Sequence, residues 1–192
     1  MTPVPWGVGV DDAVDLIGRF VTGSPPPAPP TRGLATLLFT DIVDSTVTMA
    51  RMGDARWREL LERHDAAARA AITGAGGRVV KSLGDGVFAR FGSIPEAVTA
   101  GCGFIAQARD LGVAIRAGVH IGDCELVGDE LAGRTVHEAA RIAALAGAGE
   151  LLISDAAHGL LAGAEIQTTD TGFHALKGFD EPYRLWTVDA TA

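Results

Sequence analysis

Leu34–Thr46, LATLLFTDIVDST, and Lys81–Phe88, KSLGDGVF, decide how this chain is read. In the first stretch an apolar run ends in a carboxylate, Asp41, and a turn of small and polar residues follows. Leu34–Thr40 reads as a buried strand. In the second, a strand-like segment enters Gly84-Asp85-Gly86 and leaves it apolar again. Arg78–Leu83 and Val87–Phe91 read as the two arms of a hairpin around that turn. Two strand ends therefore carry one aspartate each. A single aspartate after a strand is ordinarily a turn former. Two at adjacent strand ends, one flanked by glycines, point to metal-assisted nucleotide chemistry, because Mg²⁺ takes carboxylates plus substrate phosphates.

Working outward, Asp44 or Ser45 opens a long helix. Trp57, Leu60, Leu61, His64, Ala68, Ala71 and Ile72 recur in it at helical spacing, and Gly74–Gly77 ends it. Ile94–Leu111 is a second helix with Pro95 near its start. Val113–Ile121 alternates as a half-buried strand does, and Gly122–Ala132 reads as a loop. Arg134–Ala146 is a third, alanine-rich helix. Leu151–Ile153 is a strand, Asp155–Leu161 a short helix, and Thr168–Leu176 and Tyr183–Val188 closing strands. The order βαββαβ with a β-rich tail predicts an α+β chain with a ferredoxin-like core. On that plan the helices lie on one face of a mostly antiparallel sheet. The first strand and the hairpin come together, so Asp41 and Asp85 face each other.

Upstream, residues 1–23 contain DDAVDLIGRFV, which reads as one short amphipathic helix with acidic residues in its first turn. Ser24–Pro30, SPPPAPP, is a stiff extended spacer. The expected organisation is a helical arm over 1–23, a linker over 24–33 and a catalytic domain over 34–192.

The 192 residues carry a net charge of −8, with a pI of about 5.0 and a mean hydropathy of +0.23. An acidic chain without basic clusters argues against nucleic-acid binding. No apolar run is long enough to span a membrane. Cys102 and Cys124 form no CxxC and no disulfide framework, which predicts reduced thiols and a cytoplasmic chain.

Lys81 stands among Val79, Val80 and Leu83, either snorkelling to solvent or donating to a base or phosphate. His137 and Arg141 are four apart on the third helix and share a face. A lone helical Arg is usually solvated; here its planar fork suits phosphate. Glu130, in GDELAG, reads as a solvated carboxylate. Asp44 is read as a cap, or as a neighbour of N–H groups that meet phosphate.

FTDIVDST, KSLGDG and GDELAGRTVHEAARIAALAG together resemble the catalytic domain of class III nucleotidyl cyclases, over about residues 34–188. Leu176–Gly178 followed by Tyr183–Trp186 resembles the family's closing segment. The resemblance implies an adenylate cyclase that converts ATP to 3′,5′-cyclic AMP and pyrophosphate. It implies two Mg²⁺ or Mn²⁺ ions held by Asp41 and Asp85, with Ile42 counted in the metal and substrate site. Lys81 and Glu130 would read adenine, Arg141 would stabilise charge on the reacting phosphate, and Lys177 would touch the triphosphate. His137 falls where the family usually has the ribose-orienting Asn, and Glu130 where adenylate cyclases usually have Asp. The active site would be shared in a head-to-tail homodimer. Some bacterial relatives fuse a hydrolase-like domain to the cyclase, and residues 1–23 resemble the end of such a domain; the alternative is a free-standing cyclase with a helical arm that docks on a regulatory partner.

Two other readings stand beside this one. His137 and Glu130 leave room for a degenerate cyclase domain that binds nucleotide and acts as a regulatory or dimerising module. A diguanylate cyclase or polymerase palm is disfavoured by the lack of a GGDEF-like hairpin and by the AARIAALAG helix.

Overall fold

The structure, a computed structural model, describes residues 31–127, 130–161 and 163–189. From Arg32 onward these belong to one compact unit. The expected N-terminal helix and the proline run of the linker lie outside the described residues. The last three residues assigned to the linker, 31–33, instead open the first strand.

The elements are β1 (Thr31–Ile42), α1 (Ser45–Met52), α2 (Asp54–Gly74), β2 (Arg78–Ser82), β3 (Gly86–Phe91), α3 (Ile94–Asp110), β4 (Ile115–Val127), β5 (Glu130–Ala132), α4 (Arg134–Leu145), β6 (Leu151–Ser154), α5 (Asp155–His158), β7 (Thr168–His174) and β8 (Tyr183–Val188). The sheet order is β2-β3-β1-β4-β6-β8-β7, with β5 paired to β4. Its first four strands have the ferredoxin-like order, and β6, β8 and β7 extend it. β1–β3, β2–β3, β6–β8 and β7–β8 pair antiparallel, while β4–β6 is parallel.

β1 is buried on both faces, and its period of two sorts its side chains between two cores. Leu38 and Ile42 join Leu60, Ile72 and Phe104 from α2 and α3. Leu37 and Phe39 join Phe88, Leu131, Ala139 and Ala143 beneath α4. The expectation that all helices share one face therefore holds for α2 and α3 but not for α4. The alanines explain why: small side chains let α4 lie directly on β4. At Gly118 an added Cβ would sit 2.4 Å from Ala143 N.

Two further expectations are corrected. The long helix after Asp44 is two helices, broken at Gly53, whose φ of +79° is outside the helical region. Asp44 occupies the N-cap position of α1, as expected, with φ +52° and no side-chain cap hydrogen bond; its carbonyl accepts from Thr48 N at 2.9 Å. The segment Gly122–Ala132 is not a loop. β4 continues to Val127 and folds back as β5, pairing Glu125 with Ala132 and Leu126 with Leu131. α3 starts as its sequence suggests: Ser93 Oγ accepts from Glu96 N, and Glu96 Oε2 accepts from Ser93 N, with proline in the first turn. No helix among the described residues is long and apolar enough to cross a membrane, and both cysteines are free.

Candidate active site

The corner formed by β1 and the β2–β3 turn is built from backbone. Asp41 lies opposite Gly86 in the β1–β3 ladder. Ile42 N donates to Asp85 O at 3.0 Å, and Leu83 N donates to Gly86 O at 2.8 Å, closing the turn. Val87 N adds a bond to the buried Thr40 hydroxyl at 3.2 Å. Gly86 is required here: a Cβ would lie 2.3 Å from Thr40 O. The turn thus draws Asp85 against the strand end that carries Asp41.

The Asp41 carboxylate is half-buried and not free. Arg116 on β4 donates to Asp41 Oδ2 from Nε at 3.1 Å and from Nη2 at 2.5 Å. Its Nη1 donates to Ala144 O at the end of α4, 3.1 Å away. Sequence reading missed Arg116; the only available signal was a cation entering an otherwise apolar strand, IRAGV. Asp85 opens onto a cleft of about 210 Å³ bordered by Ser45, Thr46, Met49, Trp57 and Gly84. Among the described residues no group of three or more His, Cys, Asp or Glu side chains forms a metal cage. Two carboxylates at one corner are still the hard oxygen donors that Mg²⁺ or Mn²⁺ takes when phosphates supply the rest.

Behind this corner lies His64 of α2, fully buried. Neither ring nitrogen has a hydrogen-bond partner, and the ring packs on Phe104 at 4.9 Å. Burial pushes its pKa below the usual imidazole value, and the nearby Asp65, Asp85 and Asp41 charges only partly offset that.

Lys81 and Glu130 share a second cleft of about 260 Å³, bordered also by Phe39, Val80, Phe88 and Val136. Phe39 and Phe88 stack there with centroids 4.3 Å apart and 13° between planes. The two clefts border different cores. Trp57 packs on the core beneath α2 and α3, and Phe39 and Phe88 belong to the core beneath α4. The β2–β3 ladder shifts register between Val79 and Lys81, which displaces Lys81 from the simple alternation with Val79 and Leu83. Glu130, read from sequence as a loop carboxylate, is the first residue of β5.

His137 and Arg141 are exposed on the outer face of α4, as their spacing predicts. Lys177 is exposed in the turn after β7, beside the buried Leu176. Within one chain, then, Asp41 and Asp85 are gathered at one corner and Lys81 and Glu130 in one cleft. Among the described residues, the Asp85 cleft and the Lys81–Glu130 cleft have no lining residue in common.

Comparison with known proteins gives this arrangement a family. Residues 29–189 match the model of the adenylate and guanylate cyclase catalytic domain. A Rhizobium meliloti protein named "Putative adenylate cyclase 3" is 35% identical over 173 residues, 81% of this chain. The chain spans only 28% of that protein's length. The crystal structure of an adenylate/guanylate cyclase/hydrolase from Silicibacter pomeroyi superposes with a TM-score of 0.71 at 26% identity, covering 83% of this chain and 98% of the other. The adenylyl cyclase CyaB from P. aeruginosa shares the fold with a TM-score of 0.77 at 24% identity, covering 85% and 97%. This chain belongs to the adenylate and guanylate cyclase catalytic-domain family.

Proposed function

We propose that this chain is an adenylate cyclase that forms 3′,5′-cyclic AMP and pyrophosphate from ATP, at sites shared between two copies. The observation that carries this reading is the division of the candidate residues. Lys81 and Glu130 border an aromatic cleft over one core, while Asp85 borders a different cleft over the other. A nucleotide bridging a base-reading cleft and a metal-holding corner needs both, and a second copy supplies the missing half. Apolar exposure supports the pairing: no residue of α1 is buried, and Val47, Met49, Met52 and Leu83 are left exposed.

In the reaction the ribose 3′-oxygen attacks the α-phosphorus in line. The new O3′–P bond forms as the bond to the pyrophosphate oxygen breaks, and the 3′-hydroxyl proton passes to solvent water. Mg²⁺ or Mn²⁺ held by Asp41 and Asp85, with Ile42 adjoining, would acidify that hydroxyl and neutralise phosphate charge. Glu130 accepts from the exocyclic amine of adenine, and Lys81 donates to a ring nitrogen; the Phe39–Phe88 pair offers a flat apolar surface beside them. His137 orients the ribose. Arg141 donates to the phosphate oxygens as charge develops, and Lys177 binds the polyphosphate. Arg116 holds the Asp41 carboxylate in place and balances its charge.

The test is cyclic nucleotide formation from ATP and from GTP with Mn²⁺, beside Asp85→Ala. Cyclic AMP that disappears in the variant supports the reading. Nucleotide binding without product, equal in both proteins, replaces it with a regulatory cyclase-like module, for which His137 in place of Asn is the specific reason.

A further inference from the structure

The buried side of α4 carries a carboxylate to which no function has been attached. Glu138 is 8% exposed and accepts from three donors on three elements. Arg134 Nε, one turn earlier on α4, donates to Oε1 at 2.7 Å. The Tyr183 hydroxyl, at the start of β8, also donates to Oε1. His120 Nε2, on β4, donates to Oε2 at 3.1 Å. His120 is itself buried, and its Nδ1 pairs with Ser154 Oγ of β6 at 2.7 Å. Ser154 Oγ also accepts from Ala157 N at 3.3 Å. Because an ionised Glu138 can only accept, it favours the proton on His120 Nε2, and in the neutral ring Nδ1 then accepts from the Ser154 hydroxyl. Burial would raise the Glu138 carboxyl, but the bonds from Tyr183, Arg134 and His120 outweigh it and hold it below the usual range, ionised.

The same network reaches the turn that carries Lys177. The Arg134 guanidinium lies 5.1 Å over the Phe179 ring and donates to the Tyr183 hydroxyl at 3.1 Å. Phe179 meets Tyr183 edge-on at 5.9 Å. Packing beneath α4 is uneven. Ala139, Ala143 and Gly118 present little relief, while Ile142 packs on Leu152, Leu176 and Leu185 and Thr135 Oγ1 donates to Asp123 O at 2.7 Å. The Glu138 network adds its ties to β4 and β8 between those two anchors.

We propose that Glu138 is a positioning residue, the shared acceptor through which His120, Arg134 and Tyr183 fix α4 against the sheet and against the Leu176–Phe179 turn. His137 and Arg141 on its outer face are thereby presented in one fixed relation to Lys177. The inference rests on the cyclase reading for its effect on rate, but the network itself is testable without activity.

Glu138→Gln keeps the shape, removes the charge and turns one acceptor oxygen into a donor, so one of the three donors loses its acceptor or His120 must change tautomer. It should lower kcat by about 10- to 100-fold, the cost of a small misplacement of a catalytic group, with KM for ATP nearly unchanged. That loss should largely vanish when Arg141→Ala is already present, since the two changes act through one group. Amide hydrogen exchange on the same variant should show α4 and residues 176–179 losing protection together. Unchanged kcat, or losses that simply multiply with Arg141→Ala, would overturn the positioning role. Exchange unaltered in either segment would overturn the network whether or not the wild type makes product. If Glu138→Gln does not fold, Tyr183→Phe removes one donor and should show the same pattern more weakly; an unaltered pattern there overturns the proposal too. A wild type without cyclase activity sinks the functional reading alone and leaves the exchange result to decide the network.

Discussion

The Asp41–Asp85 corner and the outer face of α4 are positioned by different means. At the corner, main-chain bonds set the strand ends, Ile42 N to Asp85 O and Leu83 N to Gly86 O, around a glycine with no room for a Cβ beside Thr40 O. One side chain, Arg116, then holds the Asp41 carboxylate. On α4, side chains do it, through a carboxylate that accepts from β4, β8 and its own helix. A site fixed by backbone tolerates change in its neighbours but not a Cβ in the turn. A site fixed by a buried polar network tolerates a small change in shape but not the loss of one partner.

Mixing two inactive variants gives the largest effect. Asp85→Ala and Arg141→Ala should each lower cyclase activity by about 10²–10³-fold or more. If the corner of one copy works with α4 of another, a mixed dimer holds one intact site of two. With random exchange about half of the dimers are mixed, and activity should return to about a quarter of the wild type. No recovery on mixing, with exchange of subunits shown by a tag pull-down, would place both groups in one chain.

Gly86→Ala tests the corner alone. The added Cβ meets backbone, which cannot swing aside. The cost should be about 1–3 kcal/mol of stability, read as a lower midpoint in urea, with loss of metal-dependent activity. An unshifted midpoint would mean that the turn is looser than its hydrogen bonds imply.

The same contrast explains what was legible in the sequence. The hairpin was readable because Gly84-Asp85-Gly86 sets its geometry locally, and its two apolar arms could only pair with each other. α3 was readable from Ser93, Pro95 and Glu96 within four residues. The break at Gly53 was not, because the apolar spacing runs on from Trp57 and one glycine in a helical pattern is ambiguous. β5 was hidden because Gly122–Ala132 is rich in glycine and acid, and only pairing with β4 makes a strand of it. Arg116 on Asp41 and Tyr183 on Glu138 join residues 75 and 45 positions apart. No local pattern encodes such partners. Position on a face is readable; the group that waits there from another strand is not.

Purine choice lies in the cleft of Lys81 and Glu130, on the α4 side of the comparison. Lys81→Glu with Glu130→Cys should lower the preference for ATP over GTP, by about 1–3 kcal/mol per hydrogen bond exchanged, read as the ratio of kcat/KM values. Because this cleft and the Asp85 cleft border different cores, the double variant should leave the urea midpoint within about 0.5 kcal/mol of wild type, as for surface changes. A preference that stays fixed would remove Lys81 and Glu130 from base recognition.

The smallest effect concerns His64, which lies behind the corner and belongs to neither device. Its imidazole is buried with no hydrogen-bond partner on either nitrogen, Asp65 Oδ1 lying 3.9 Å from Nδ1, and its pKa is lowered chiefly by that burial. The unfolded chain therefore takes up a proton below about pH 6.5 that the folded chain refuses. Stability from this group is full above that pH and declines below it, by at most about 1.4 kcal/mol per pH unit. His120 is lowered too, again first by burial, with Glu138 partly opposing, so it adds to the same acid limb. His64→Phe should remove one of the two contributions: urea midpoints from pH 7.5 to 5 should fall less steeply than in the wild type, with no loss at pH 7.5. An equal slope would mean that His64 has a partner in solution. In that case the residue is a satisfied member of the core, and the acid sensitivity comes from His120.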